Sequence, residues 1–253
     1  MYQYPGSITS KLPHTGTSIF AIMTQMAKEY NAINLSQGFP DFPVCEKLID
    51  LVYAQMKGGH NQYAPMPGLP ELRAAIAEKT QFMYSAVYDS DNEITVTSGA
   101  TQGIYSAITA FVHENDEVII FEPAYDSYTP TIRLAGGVVV PVPLNIPDYS
   151  IDWEAVKRVI NQRTKMIIIN TPHNPTGSMI SHDDMIMLGN LVKDTGIIIL
   201  SDEVYEHIVF DGRQHQSVCR YPNLAERSLV MCSFGKTFHA TGWKIGYCLA
   251  PAN

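Results

Sequence analysis

Gly235-Lys236-Thr237 is the most chemically ambiguous stretch of this 253-residue sequence. The same three residues close a nucleotide-binding P-loop, but that loop needs another glycine five positions before its last one. Position 230 is Val230, and Ser228–Ser233 reads as a strand rather than a glycine-rich loop. The P-loop is therefore rejected. A lysine at a strand end is ordinarily a solvated ammonium with a pKa of about 10.4. Desolvated in a pocket, the same amine is a nucleophile that can form a Schiff base with a carbonyl.

The polar residues at the other strand ends bear on that choice. Ser98-Gly99-Ala100-Thr101 opens a predicted helix whose first N–H groups could hold a phosphate, although such a turn also serves as a plain helix cap. Tyr125 could stack on an aromatic ring or simply cover the core. Asn174, within Thr171-Pro172-His173-Asn174-Pro175-Thr176-Gly177, and Tyr205 could hydrogen-bond a phenolic oxygen; alone they read as a turn and a packing residue. Asp202 could pair with a protonated ring nitrogen or cap a helix. Taken together, these groups meet the needs of an aldehyde cofactor on a phosphorylated pyridine ring, in which the protonated ring acts as an electron sink.

The elements that must position them follow from periodicity. Apolar runs bounded by turn residues fall at Glu93–Thr97, Glu117–Phe121, Gly137–Val142, Lys165–Asn170, Gly196–Ser201, Ser228–Ser233 and Lys244–Ala250. Met166–Ile169 and Ile197–Leu200 are apolar throughout, as strands buried on both faces of a parallel sheet are. Amphipathic stretches at Leu48–Met56, Leu69–Tyr84, Thr101–His113, Asp152–Gln162 and His182–Asp194 predict helices. The alternation predicts an α/β fold: a mostly parallel seven-stranded sheet with helices on both faces. Ligands of such sheets bind beyond the carboxyl ends of the strands, where these polar residues lie. Residues 1–45 read as an N-terminal arm with one short helix near Thr17–Tyr30, and 46–253 as the cofactor-binding domain.

Composition narrows the alternatives. With 17 Lys+Arg against 25 Asp+Glu the chain carries a formal charge of −8, against non-specific nucleic-acid binding. No stretch reaches the length of a membrane span, no signal-peptide core is present, and Cys45, Cys219, Cys232 and Cys248 show no metal or disulfide spacing. The expected compartment is the cytoplasm.

Ser233–Gly246 (SFGKTFHATGWKIG) resembles the lysine signature of class I pyridoxal-phosphate aminotransferases. Asn170–Gly177 and Ser201-Asp202-Glu203-Val204-Tyr205-Glu206 are similar to that family's other two cofactor motifs. Asn34–Phe42 and Asn61-Gln62-Tyr63-Ala64-Pro65 most resemble its methionine and kynurenine/glutamine-type members. The resemblance implies that Lys236 forms a Schiff base with pyridoxal 5′-phosphate and then moves a proton between substrate and cofactor. It implies that Asp202 binds the ring nitrogen, Asn174 and Tyr205 the phenolic oxygen, and that Tyr125 stacks on the ring. Gly99, Ala100, Thr101, Ser233 and Lys244 are implied at the phosphate, with Tyr63 reaching it from the other subunit of a homodimer, and Gly38 seats the substrate. Lys244 stands where many members have Arg, supplying a point charge in place of a bidentate fork.

The implied activity is transfer of an amino group from an amino acid to a 2-oxo acid. β-Elimination on cysteine conjugates and a non-catalytic aminotransferase-like module are the alternatives. Members of the family continue into a small C-terminal domain whose Arg pairs with the substrate α-carboxylate. That domain is expected to be missing here, with little turnover from the 253-residue chain alone.

Overall fold

The run Met166–Ile169 has no polar position because both its faces are covered. The computed structural model describes residues 4–13, 16–36, 38 and 42–252. In it, Met166 and Ile168 enter one apolar core while Ile167 and Ile169 enter another, none more than 2% exposed. Burying each such side chain contributes on the order of 2 kcal/mol.

Along the chain come α1 (Ile19–Glu29), α2 (Glu46–Lys57), α3 (Pro70–Tyr84), β1 (Ile94–Thr97), α4 (Gly99–Phe111), β2 (Glu117–Glu122), α5 (Tyr128–Leu134) and β3 (Val138–Pro143). They are followed by α6 (Trp153–Val159), β4 (Thr164–Asn170), α7 (His182–Val192), β5 (Ile198–Asp202), α8 (Pro222–Ala225), β6 (Ser228–Ser233), α9 (Phe234–Thr237) and β7 (Gly246–Leu249). The seven strands form one sheet in the order β1-β7-β6-β5-β4-β2-β3. The pairs β2–β3, β2–β4, β4–β5 and β5–β6 are parallel; β7 runs antiparallel to both its neighbours. Residues of α4 and α5 fill one core, and residues of α3, α6 and α7 fill the other, so helices cover both faces as expected.

The structure differs from the sequence expectation at several strand ends, among them the end of β6, where the unanticipated short helix α9 follows directly. Helix α4 starts at Gly99, two residues early, which makes Gly99, Ala100 and Thr101 its first turn. Lys244 is not in a strand: it ends a 3₁₀ turn, Thr241–Trp243, with φ 56° and ψ 48°, and β7 begins only at Gly246. Helix α5 has no counterpart among the predicted helices. Pro130 sits in its first turn, where a missing N–H removes no helical hydrogen bond.

Of the motif Asn34–Phe42, residues 37 and 39–41 lie outside the described residues. Helix α1 is capped by Ser18, whose side chain accepts from the Ala21 N–H, and neither α1 nor α2 has a buried residue.

Candidate active site

The carboxyl ends of β1, β2, β4, β5 and β6 open onto one cleft of about 920 Å³. Eleven sequence-predicted residues line it: Gly38, Gly99, Ala100, Thr101, Tyr125, Asn174, Asp202, Tyr205, Ser233, Lys236 and Lys244. Tyr63 does not; it is fully exposed at 103%.

One end of the cleft is built to take an anion. Ser98 precedes α4 but makes no side-chain cap hydrogen bond, so the helix's first-turn N–H groups lack that partner. Gly99 has φ +75°, and a Cβ built there would meet Lys244 Cε and Nζ at 3.3 Å, which places the ammonium against the helix N-terminus. The left-handed conformation of Lys244 aims it there. Gly246 permits the approach: a Cβ on it would come within 2.7 Å of Ala100 N and of the Cys232 carbonyl oxygen. Ser233 Oγ accepts from the Gly235 N–H at 3.2 Å, which leaves its own proton available to the cleft. Helix dipole, free N–H groups, a hydroxyl and an ammonium suit a phosphate dianion.

Asp202 closes β5 and is 3% exposed. No helix follows it, so the capping alternative fails; residues 204–207 form a turn. Its carboxylate accepts from Tyr128 Oη at 2.6 Å and from the Val204 N–H at 3.3 Å. Burial pushes its pKa up to about 6, against the hydrogen bonds from Tyr128 and Val204 and the charge of Lys236, which lower it. A buried carboxyl of this kind favours a cationic partner in the cleft, and a protonated ring nitrogen supplies one.

Asn170 links Asp202 to the neighbouring loop. Its Nδ2 donates to the Asp202 carbonyl at 2.9 Å, and its Oδ1 accepts from the Asn174 N–H at 2.7 Å. Sequence reasoning misses both Tyr128 and Asn170 as supports. Asn170 ends a predicted strand within a quoted motif, and that is the available signal. Tyr128 lies in the unanticipated helix α5, edge-on to Tyr125 with ring centroids 5.6 Å apart.

Lys236 is carried on α9, whose N-cap is Ser233. Its amine lies 5.3 Å from the centroid of the Tyr205 ring. Burial lowers its pKa; the Asp202 carboxylate opposes that shift and the Lys244 charge adds to it. Tyr205 is shifted the other way, its pKa raised by burial and by the nearby Asp202 and Tyr125. Both shifts act against the charged forms, the ammonium and the phenolate, in a cleft that also holds a buried carboxyl and an anion cradle.

A doubly covered parallel sheet with a lysine, a carboxylate and a phosphate cradle at its strand ends defines a cofactor-binding α/β domain. The chain belongs to the aminotransferase class I and II family, whose model matches residues 30–253. Aminotransferases of this family use pyridoxal phosphate. The chain is similar to the methionine aminotransferase of Escherichia coli, 48% identical over 243 residues, covering 96% of this chain and 63% of that protein. A kynurenine–oxoglutarate transaminase of Dictyostelium discoideum is 34% identical over 256 residues, covering 94% and 59% respectively. Among solved structures, the Escherichia coli methionine aminotransferase superposes with a TM-score of 0.96, covering 98% of this chain and 65% of that one. N-succinyldiaminopimelate aminotransferase from Mycobacterium tuberculosis matches at 0.93 and 38% identity, covering 97% and 65%. The chain thus spans less than two thirds of the length of these relatives.

Proposed function

We propose that this chain is the cofactor-binding part of an aminotransferase that moves an amino group from an amino acid to a 2-oxo acid. The observation that carries the reading is the Lys236 amine, its pKa lowered by burial, in one cleft with buried Asp202 and the α4 cradle. Pyridoxal 5′-phosphate, when bound, supplies an aldehyde for amines to condense with and a pyridine ring that withdraws electrons.

Each residue then has a task. The first-turn N–H groups of Gly99, Ala100 and Thr101, the Ser233 hydroxyl and Lys244 hold the phosphate. Ionised Asp202 accepts the ring N–H, and the positive charge of that ring offsets the cost of ionising a buried carboxyl. Asn174 and Tyr205 hydrogen-bond the ring oxygen, and Tyr125 covers one ring face. The Lys236 amine would be the group that condenses with the cofactor aldehyde, with loss of water, and as a free amine it would take up the proton from the substrate Cα. The backbone at Gly38 seats the substrate.

Tyr63 takes part from a second copy of the chain. Supporting a homodimer, the fully exposed Tyr63 is accompanied by exposed Ile49, Val52, Tyr53 and Met56 on one face of α2, an apolar face that water alone covers poorly. The amino donor is of the methionine, aromatic or glutamine type. Residues 1–45 act as an arm and 46–253 as the cofactor domain. The setting is the cytoplasm; among the described residues no helix is long and apolar enough to cross a membrane.

The test is chemical. Protein loaded with pyridoxal phosphate is expected to show a visible absorption band that borohydride fixes covalently on Lys236. Peptide mapping that finds no adduct on that residue would overturn the proposal.

A further inference from the structure

The motif Ser201-Asp202-Glu203-Val204-Tyr205-Glu206 holds three carboxylates, and only Asp202 faces the cleft. Glu203 and Glu206 are 0% and 4% exposed, on the far side of the turn, and the proposed chemistry uses neither. Their surroundings show what holds them. Glu203 accepts from Ser201 Oγ at 2.8 Å and from the Val218 N–H at 3.1 Å, and its Oε2 lies 2.8 Å from His215 Nε2. Glu206 accepts from Lys79 Nζ and from Tyr84 Oη, both at 2.5 Å. Lys79 also donates to Tyr247 Oη at 2.7 Å, so α3 and β7 are both tied to this carboxylate. Burial raises the pKa of Glu206, but the charge and hydrogen bond of Lys79, with that of Tyr84, outweigh it and hold the carboxyl below its ordinary value.

The backbone shows why this matters for Tyr205. At the start of the turn the sheet does the holding: the Asp202 carbonyl accepts from the Thr171 N–H at 3.1 Å, and the Glu203 N–H donates to the Met231 carbonyl at 2.8 Å. Further on, among the described residues, the backbone hydrogen bonds are internal to the turn: Glu206 N–H to the Glu203 carbonyl and Ile208 N–H to the Tyr205 carbonyl. The sheet therefore fixes Asp202 directly but not Tyr205. What fixes the residues flanking Tyr205 relative to the rest of the fold is the pair of buried carboxylates, above all Glu206, one residue away. Leaving a buried carboxylate half-paired is costly, so the Glu206 network admits few other placements of the turn.

We propose that Glu206, held by Lys79 and Tyr84, is a positioning residue for Tyr205, fixing the turn so that the phenol meets the ring oxygen of the cofactor. This rests on the cofactor reading of the cleft. Glu206 does not touch the cofactor; it acts through Tyr205.

The test uses the cofactor-loaded protein and reads the pH at which its visible absorption band titrates, together with thermal stability. Tyr205→Phe is expected to displace that titration by about half to one pH unit, the effect of one hydrogen bond to the ring oxygen. Glu206→Gln is expected to displace it in the same direction by a smaller amount. In the Tyr205→Phe/Glu206→Gln double variant the displacement is expected to equal that of Tyr205→Phe alone, because a residue acting through Tyr205 has nothing left to move. An unchanged titration in Glu206→Gln, or in Tyr205→Phe, overturns the proposal. So does a double variant in which the two displacements add in full, since that places Glu206 on a separate path. If Glu206→Gln does not fold, Tyr84→Phe decides by the same criteria, since it deletes one hydrogen bond to Glu206 and keeps the ring. Failure of borohydride to fix the cofactor on Lys236 in the unaltered protein is a different result, and it would remove the cofactor reading itself.

Discussion

Tyr128 Oη donates a hydrogen bond of 2.6 Å to Asp202 Oδ2, joining helix α5 to the end of β5 with both groups buried. The pair sets the charge state of the cleft floor. Burial raises the Asp202 pKa from 3.8 to about 6, and the Tyr128 hydrogen bond opposes that rise. A carboxyl whose pKa is higher folded than unfolded binds its proton more tightly in the folded state. Its contribution to stability is therefore fully present below about pH 4 and is lost as pH rises through about 6. For the cofactor-free chain the loss is about 3 kcal/mol. Urea unfolding from pH 4 to 8 should show Asp202→Asn lacking this share of the decline and Tyr128→Phe showing a deeper one. An undiminished decline in Asp202→Asn would refute the account.

Lys244 holds a left-handed backbone, φ 56° and ψ 48°, that side chains with a Cβ adopt at a cost of roughly 1–2 kcal/mol. That conformation turns its amine to the α4 N-terminus, so charge and strain separate by substitution. Lys244→Ala and Lys244→Gly both remove the charge, and each should weaken binding of pyridoxal phosphate by about 10- to 100-fold. Only the glycine variant also relieves the backbone, so it should be the more stable by about 1 kcal/mol in chemical denaturation. Equal stabilities would show that the backbone there is unstrained.

How far the site can be read from sequence depends on where each residue sits. Asp202, Asn174 and Lys236 lie at or just beyond the ends of strands whose apolar runs are unbroken, such as Met166–Ile169, so those ends and the polar residues there are legible. Tyr128 is not, because Pro130 disguises the start of α5, and its pairing with Asp202 spans 74 residues of sequence. The αL turn at Lys244 reads as strand because Lys244–Ala250 is apolar after its first residue, a pattern blind to the sign of φ. The roles of Glu203 and Glu206 depend on partners such as Lys79 and His215, which only the fold brings together. Tyr63 is a different case: it is fully exposed and lies outside the cleft lining, so its implied role rests on the motif alone.

Gly246 begins β7 where the backbone passes the first turn of α4. A Cβ there would lie 2.7 Å from Ala100 N, 2.7 Å from the Cys232 carbonyl oxygen and 2.9 Å from Gly99 C, all backbone atoms that cannot swing aside. Gly246→Ala should therefore push β7 and α4 apart, at a cost of about 1–3 kcal/mol in stability. Because the displaced atoms form the cradle, phosphate affinity should fall in the same variant. Cys248→Ala, two residues further along the same strand and packed against the same core, shortens a side chain without adding an atom beside Ala100 and serves as a comparison that should leave phosphate binding unchanged. Calorimetric binding of inorganic phosphate to the two variants separates the outcomes, and unaltered binding by Gly246→Ala would rule out the close approach as the basis of the cradle.

Lys236 offers the most direct reading of the cleft's electrostatics. Its pKa is lowered first by burial; the Asp202 carboxylate raises it and the Lys244 ammonium lowers it. The neutral, nucleophilic amine is thus present at lower pH than on an exposed lysine of pKa about 10.4. Condensation of Lys236 with pyridoxal, which lacks the phosphate and so does not depend on the cradle, should rise with pH through a midpoint below that value. Asp202→Asn removes the charge that raises the pKa, so the midpoint should move down. Lys244→Met removes a charge that lowers it, so the midpoint should move up. Stability should respond with the matching sign. A lysine whose folded pKa is depressed costs stability while it is charged, so Lys236→Met should stabilise the cofactor-free chain at neutral pH, and the gain should shrink as pH approaches 10.5. Midpoints that move in the same direction in Asp202→Asn and Lys244→Met would show that these two residues do not set the reactivity of Lys236 through their charges.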